Sequence, residues 1–168
     1  KIAAKQYSYD SLYIPRSITE LDDQWQHIET IESPSELIKN DDILFISGPA
    51  GSGKTQYIHQ IRQCADDNDL VISLSCAKTA QSSEDLLSCI FHEFERIAGI
   101  RTFYSVDNFK RLLNVKHLVL ILDGMDEIAT QTGTKKFVNK VEKFYASNSK
   151  NVTLIFTSRN ADDANTIA

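Results

Sequence analysis

Residues Gly48-Pro49-Ala50-Gly51-Ser52-Gly53-Lys54-Thr55 fit the pattern G-x-x-x-x-G-K-[ST]. They stand between an apolar run, Ile43 to Ile46, and a stretch of helical periodicity. No other feature constrains the fold as much, because this arrangement demands a strand, a tight turn and a helix in immediate succession. Glycines let the backbone turn sharply and aim its N–H groups at one point, and the helix start adds a positive dipole end there. Such a loop cradles phosphate oxygens. Lys54 then reaches the β- and γ-phosphates of a nucleoside triphosphate, and the Thr55 hydroxyl takes a position on Mg²⁺. A glycine-rich turn without that role would need neither the strand before it nor the helix after it.

Downstream, short buried-strand runs alternate with amphipathic helices, the signature of a parallel sheet covered on both faces. The strand runs are Ile43 to Ser47, Leu70 to Ser75, Leu118 to Asp123 and Val152 to Thr157. Helical stripes comprise Ile58, Ile61 and Cys64/Ala65; Leu87, Ile90/Phe91, Phe94 and Ile97/Ala98; Val106, Phe109 and Leu112/Leu113; and Phe137, Val141 and Phe144/Tyr145. The second stripe is entered through Ser82-Ser83 and the acidic Glu84-Asp85, which suit a helix N-terminus. The expected fold is α/β, a doubly wound parallel sheet over residues 41–168, preceded by a lead-in segment, residues 1–40, packed on the core. Within the lead-in, Leu21, Trp25 and Ile28 have helical spacing, and Ser33-Pro34 reads as an N-cap followed by proline at the first position of a short turn through Lys39.

Composition narrows the function. The 168 residues suit one domain, and a hydrophobic fraction of 42% is enough for a sizeable core. A formal net charge of -5 argues against direct nucleic-acid binding, which recruits concentrated Lys/Arg surfaces. Cys64, Cys76 and Cys89 match no zinc or redox spacing, so they read as core or near-core fillers suited to the reducing cytoplasm. No apolar run approaches the ~18 residues of a membrane span, and Lys1 to Tyr13 lacks the apolar run of a signal peptide. The sequence starts without Met and stops at Ala168, so a piece of a longer protein is expected. His92-Glu93 continues as Phe94-Glu95-Arg96, without the second His of a zinc protease motif, and His27, His59 and His117 lack partners at ligand spacing. The hydroxyl-rich Ser75 to Thr79 reads as a loop, and no serine-hydrolase elbow is present.

A second acidic motif ends the third strand run, in His117-Leu118-Val119-Leu120-Ile121-Leu122-Asp123-Gly124-Met125-Asp126-Glu127. Strand ends of such sheets open into the ligand crevice, so Asp123 becomes a partner for Mg²⁺ through water, and Asp126 and Glu127 stand where they could orient an attacking water. Leu120 to Glu127, LILDGMDE, resembles the extended Walker B motif of NACHT-type ATPases, within the signal-transducing STAND class. GPAGSGKT and Thr153 to Arg159, TLIFTSR, resemble the Walker A and sensor 1 segments of the same family, in the family's order. Tyr13-Ile14-Pro15-Arg16 is similar to the short segment that passes the nucleotide base in many relatives.

The resemblance implies an additional-strand P-loop NTPase core in which the sensor strand lies between the phosphate-loop and Walker B strands. It implies that Gly48 to Thr55 hold ATP or ADP, that Thr55 and Asp123 serve Mg²⁺, that Asp126 and Glu127 supply the hydrolytic acids and that Arg159 senses the γ-phosphate. The implied activity is slow ATP hydrolysis driving a conformational switch, with self-association on activation, in innate immunity or antiphage defence. Charge-assisted hydrogen bonding suits Arg159 to a phosphate independently; the competing use is a surface pair with Asp162 or Asp163. Two departures stand out. Asn160 follows the sensor arginine where the family usually has Pro, and the sequence stops before the fifth strand, helical lid and winged helix of the family. An AAA+ ring ATPase shares the loops, although the Gly124-Met125-Asp126-Glu127 pattern favours the signalling class. A small-molecule kinase would need an Arg-rich lid, but Ala129 to Ser149 offers only lysines. A non-hydrolysing nucleotide-dependent scaffold stays open.

Overall fold

The computed structural model describes residues 18–21, 27–31, 43–99 and 105–166. Four strands, β3 (Ile43–Ser47), β4 (Asp69–Ser75), β5 (His117–Asp123) and β6 (Val152–Ser158), form a parallel sheet in the order β3-β6-β5-β4. The order fits the expectation: β6, the sensor strand, separates the phosphate-loop strand from the acidic strand. In register, Ser47 lies beside Ser158 and Asp123 beside Ser75. The carboxyl ends of all four strands therefore share one edge, which gathers motifs that are far apart in the chain.

Alternation along the strands sorts side chains onto two faces. Leu118, Leu120 and Leu122 of β5 join Val152, Leu154 and Phe156 of β6 in the larger core, with Ile90, Phe91, Phe109, Phe137 and Val141 from helices. Those helices are α3 (Leu86–Ala98), α4 (Val106–Leu113) and α5 (Gln131–Asn148). Val119, Ile121 and Ile155 point the other way and pack with Tyr57, Ile58 and Ile61 of α1 (Lys54–Cys64). Near-complete burial on both faces explains why β5 and β6 read as continuous apolar runs.

Helix starts follow local chemistry. Asp85 accepts from the Ser88 N–H at 2.8 Å, Ser105 from Asn108 at 3.2 Å and Thr130 from Gly133 at 3.0 Å, each satisfying an orphan donor of a first turn.

Four expectations need correction. The lead-in contains antiparallel strands, β1 (Ile18–Leu21) and β2 (His27–Ile31), where Leu21 and Ile28 suggested a helix. The β-branched residues at 18, 19, 28, 30 and 31 favour extended backbone over an apparent 3.6-residue spacing. Ser75 to Thr79 is not a loop: Ser75 caps a short helix, α2 (Cys76–Gln81), by accepting from the Lys78 N–H. Cys64 is exposed, not a core filler, because it ends α1 beyond the buried stripe; Cys76 is buried and Cys89 half-buried. Ile97 is exposed too, in the last turn of α3. Trp25 and the turn from Ser33 to Lys39 lie outside the described residues.

Candidate functional site

The phosphate loop leaves β3 at Ser47 and is tied to the neighbouring strand by its first glycine, whose N–H donates to the Ser158 carbonyl at 3.2 Å. A Cβ at Gly48 would come within 2.8 Å of the Ser52 hydroxyl, so a side chain there would force Ser52 to shift. The turn into α1 runs through Gly53 at φ 95°, a left-handed conformation that disfavours any other residue. No side chain caps α1 and no acid lies in its first turn. The helix therefore presents its positive end and its unpaired N–H groups to the loop without internal neutralisation. The Lys54 ammonium curls back, donating to the Gly48 carbonyl and to the Pro49 carbonyl at 3.1 Å. Thr55 follows it on an exposed position of the same first turn.

At the end of β5, Asp123 is held from the side by β6. The Thr157 hydroxyl donates to Asp123 Oδ1 at 2.5 Å and accepts from the Gly124 N–H at 3.0 Å. Gly124 takes φ 78°, and a Cβ on it would meet the Glu127 carboxyl group at 3.0 Å. A single turn of 3₁₀ helix follows, Met125–Glu127, anchored by the buried Met125. That anchor turns Asp126 and Glu127 toward the end of β6.

There they meet Arg159. Asp126 Oδ1 accepts from the Arg159 main-chain N–H at 3.0 Å and from the Ser158 hydroxyl at 3.3 Å, while Oδ2 lies 3.2 Å from Arg159 Nε. Among the described residues, Glu127 has one longer polar contact, Oε1 to Arg159 Nη2 at 3.5 Å. Their exposures differ accordingly, with the Asp126 side chain 20% exposed and that of Glu127 53%. Two acids that look equivalent in sequence are thus unlike in space. Among the described residues, Arg159 pairs with neither Asp162 nor Asp163, and the Asp163 carboxylate instead accepts from the Ser158 hydroxyl.

Behind this cluster, burial pushes the Cys76 thiol far up from its ordinary range, and the carboxylates of Asp123, Glu127 and Asp126 push it further. It stays protonated and is no nucleophile. His117 lies at the opposite end of the sheet, joined to Asp69 and Thr153 at 3.0 Å each, and His92 of α3 pairs with Glu95 of the same helix and with Glu84 just before it. Both are structural contacts. Tyr13, Ile14, Pro15 and Arg16 lie outside the described residues.

Among the described residues, no group of three or more His, Cys, Asp or Glu side chains could hold a metal by itself. The candidate donors are one hydroxyl, Thr55, and one carboxylate, Asp123. That set fits Mg²⁺, a hard cation that takes one or two protein oxygens and fills the rest of its shell with phosphate and water. Sequence reasoning missed Thr157 and Ser158 as supports of the acids. The available signal was a pair of hydroxyl residues closing an otherwise apolar strand.

A parallel sheet in this order, with a phosphate loop at one strand end and acids at another, defines a P-loop nucleoside triphosphatase core. The family model of the NACHT domain matches residues 42–163, well over half of the sequence, and the chain belongs to that family. It is a nucleotide-binding NTPase domain. Similar solved structures include Cdc6p from Pyrobaculum aerophilum, 18% identical with a TM-score of 0.42, over 72% of this chain and 33% of that one. A DNA replication initiation factor is 16% identical with a TM-score of 0.44, over 77% and 36%. PCH-2 of C. elegans is 13% identical with a TM-score of 0.42, over 75% and 32%. The chain spans about a third of the length of each. No curated protein sequence matches it. Among the described residues, no helix is long and apolar enough to cross a membrane.

Proposed function

We propose that this domain binds ATP with Mg²⁺ and hydrolyses it slowly to ADP, as the switch of a larger cytoplasmic signalling ATPase. The observation that carries the reading is the tether of Gly48 to Ser158, which joins the phosphate loop to the strand whose end holds Asp123 and Asp126. Loop N–H groups and the uncapped start of α1 hold the phosphates, and Lys54 moves its ammonium from the loop carbonyls to the β- and γ-phosphates. Thr55 and Asp123 would hold Mg²⁺, which would supply neutralisation of the triphosphate charge. Glu127, the more exposed acid, orients water for in-line attack, and Asp126 fixes Arg159 beside it.

The switch follows from the same contacts. Arg159 is held by Asp126 and, at 3.5 Å, by Glu127, and a γ-phosphate would compete with these acids for its charge. Nucleotide state then biases the conformation through differential contacts. In keeping with the family resemblance, the full-length protein self-associates on activation, in innate immunity or antiphage defence.

Titration of the chain with fluorescent ATP and ADP, with Mg²⁺ or with EDTA, tests the reading. Mg²⁺-dependent binding that is competed by unlabelled ATP supports it; no binding by the folded chain ends it.

A further inference from the structure

Thr157 is 1% exposed, a hydroxyl buried in a strand that otherwise contributes mostly apolar side chains to the core. A buried hydroxyl needs partners, and it has a single proton to give. Thr157 accepts from the Gly124 N–H at 3.0 Å, so its own proton is free to go to Asp123 Oδ1, 2.5 Å away. The contact crosses from β6 to β5 and fixes the carboxylate against rotation at the last residue of its strand. Among the described residues, Asp123 Oδ2 accepts no hydrogen bond, so it is the oxygen left to face a cation or a cation-bound water. Ser75, the register partner of Asp123 on the other side, is already engaged as the cap of α2. No hydroxyl from β4 duplicates the role.

We infer that Thr157 is a positioning residue for the metal site: it orients the Asp123 carboxylate so that one oxygen is presented to Mg²⁺, and it holds the turn at Gly124 in the same stroke. This rests on Asp123 serving the metal. Buried behind the strand end, Thr157 acts through Asp123 and Gly124. Its loss raises the Mg²⁺ requirement without changing the phosphate cradle.

The test is binding of a fluorescent ADP by the chain at fixed nucleotide across a Mg²⁺ titration, with a parallel series in EDTA and thermal melts of each variant. Thr157→Val keeps the shape and removes the hydroxyl; it should raise the half-saturating Mg²⁺ concentration by about tenfold, since a hydrogen bond to a charged group is lost. Its affinity in EDTA should stay within about twofold of the parent, because the cradle is untouched. Thr157→Ser, which keeps the hydroxyl, should restore the parent Mg²⁺ midpoint. Thr157→Ala, a second hydroxyl-free variant, should reproduce the shift and serves if the valine variant does not fold. In an Asp123→Asn background, Thr157→Val should add nothing.

A parent-like Mg²⁺ midpoint in the folded hydroxyl-free variants overturns the inference and leaves the function standing. So does an equal shift in the serine variant. Parent binding that ignores Mg²⁺ overturns the metal reading of Asp123, and this inference with it.

Discussion

Arg159 holds both carboxylate oxygens of Asp126, Oδ1 through its main-chain N–H at 3.0 Å and Oδ2 through its Nε at 3.2 Å. A carboxylate with both oxygens engaged is poorly placed to accept a proton from water, whereas among the described residues Glu127 has just the 3.5 Å contact to the same guanidinium. The two acids should separate on substitution. Glu127→Gln should lower single-turnover hydrolysis by about 100-fold, the scale of a lost general base, with an unchanged melting temperature. Asp126→Asn should also lower the melting temperature, because the end of β6 loses a charged acceptor. Equal loss of turnover with no melting change in either variant would show that the acids act as one unit.

Gly124 gives a test in which the backbone is the variable. Its φ of 78° is strained for any side chain, and a Cβ would press on the Glu127 carboxyl group at 3.0 Å. Gly124→Ala should destabilise the domain by about 1–2 kcal/mol, the cost of placing a Cβ in the left-handed region. It should also displace Glu127 and depress hydrolysis more than nucleotide affinity. Melting curves and the ratio of turnover to binding measure the two effects separately.

Much of the core was legible because local pattern and tertiary environment agree. The apolar runs of β5 and β6 are buried on both faces, and the phosphate loop carries its own strand and helix signals. The failures have specific physical causes. Leu21 and Ile28 fit a helical spacing while their β-branched neighbours favoured strands, and two short strands carry too few residues for either period to be decisive. Ser75 was read as part of a loop although its hydroxyl is a helix cap, since the same residue serves both. The grip of Thr157 on Asp123 and of Arg159 on Asp126 joins residues more than thirty positions apart, through strands that become neighbours only on folding. Sequence could nominate the acids; which of them is restrained depends on that adjacency.

Asp85 supplies a pH signature away from the site. Hydrogen bonding from Ser88 at the start of α3 holds its carboxyl below the usual carboxylate range. The folded state therefore favours the ionised form. Its contribution is full above the unfolded carboxylate value and is lost as pH falls through the depressed folded value. Asp85→Ala should cost about 1 kcal/mol at neutral pH, or about 2–4 °C in melting temperature for a domain of this size. The difference from the parent should shrink as the buffer is acidified. A difference that is constant down to the acid limit would mean that the cap acts through helix geometry and not through its charge.

Lys54 tests the central chemistry most directly, because its side chain joins no core. Its ammonium donates to the carbonyls of Gly48 and Pro49, within the loop it serves. Exchanging those neutral acceptors for phosphate oxygens converts ordinary hydrogen bonds into doubly charged ones, so the gain on binding exceeds the loss. Lys54→Ala removes that gain and leaves the sheet, α1 and the glycine turns intact. Calorimetry should record a fall in ATP affinity of about 100-fold, roughly 2.7 kcal/mol, with an unchanged circular dichroism spectrum. Lys54→Met, which keeps most of the aliphatic stem, should lose nearly as much, since the charge and not the stem meets the phosphate. Parent-like affinity in either folded variant would take the nucleotide away from this loop, and the roles of Thr55, Asp123 and Arg159 would fall with it.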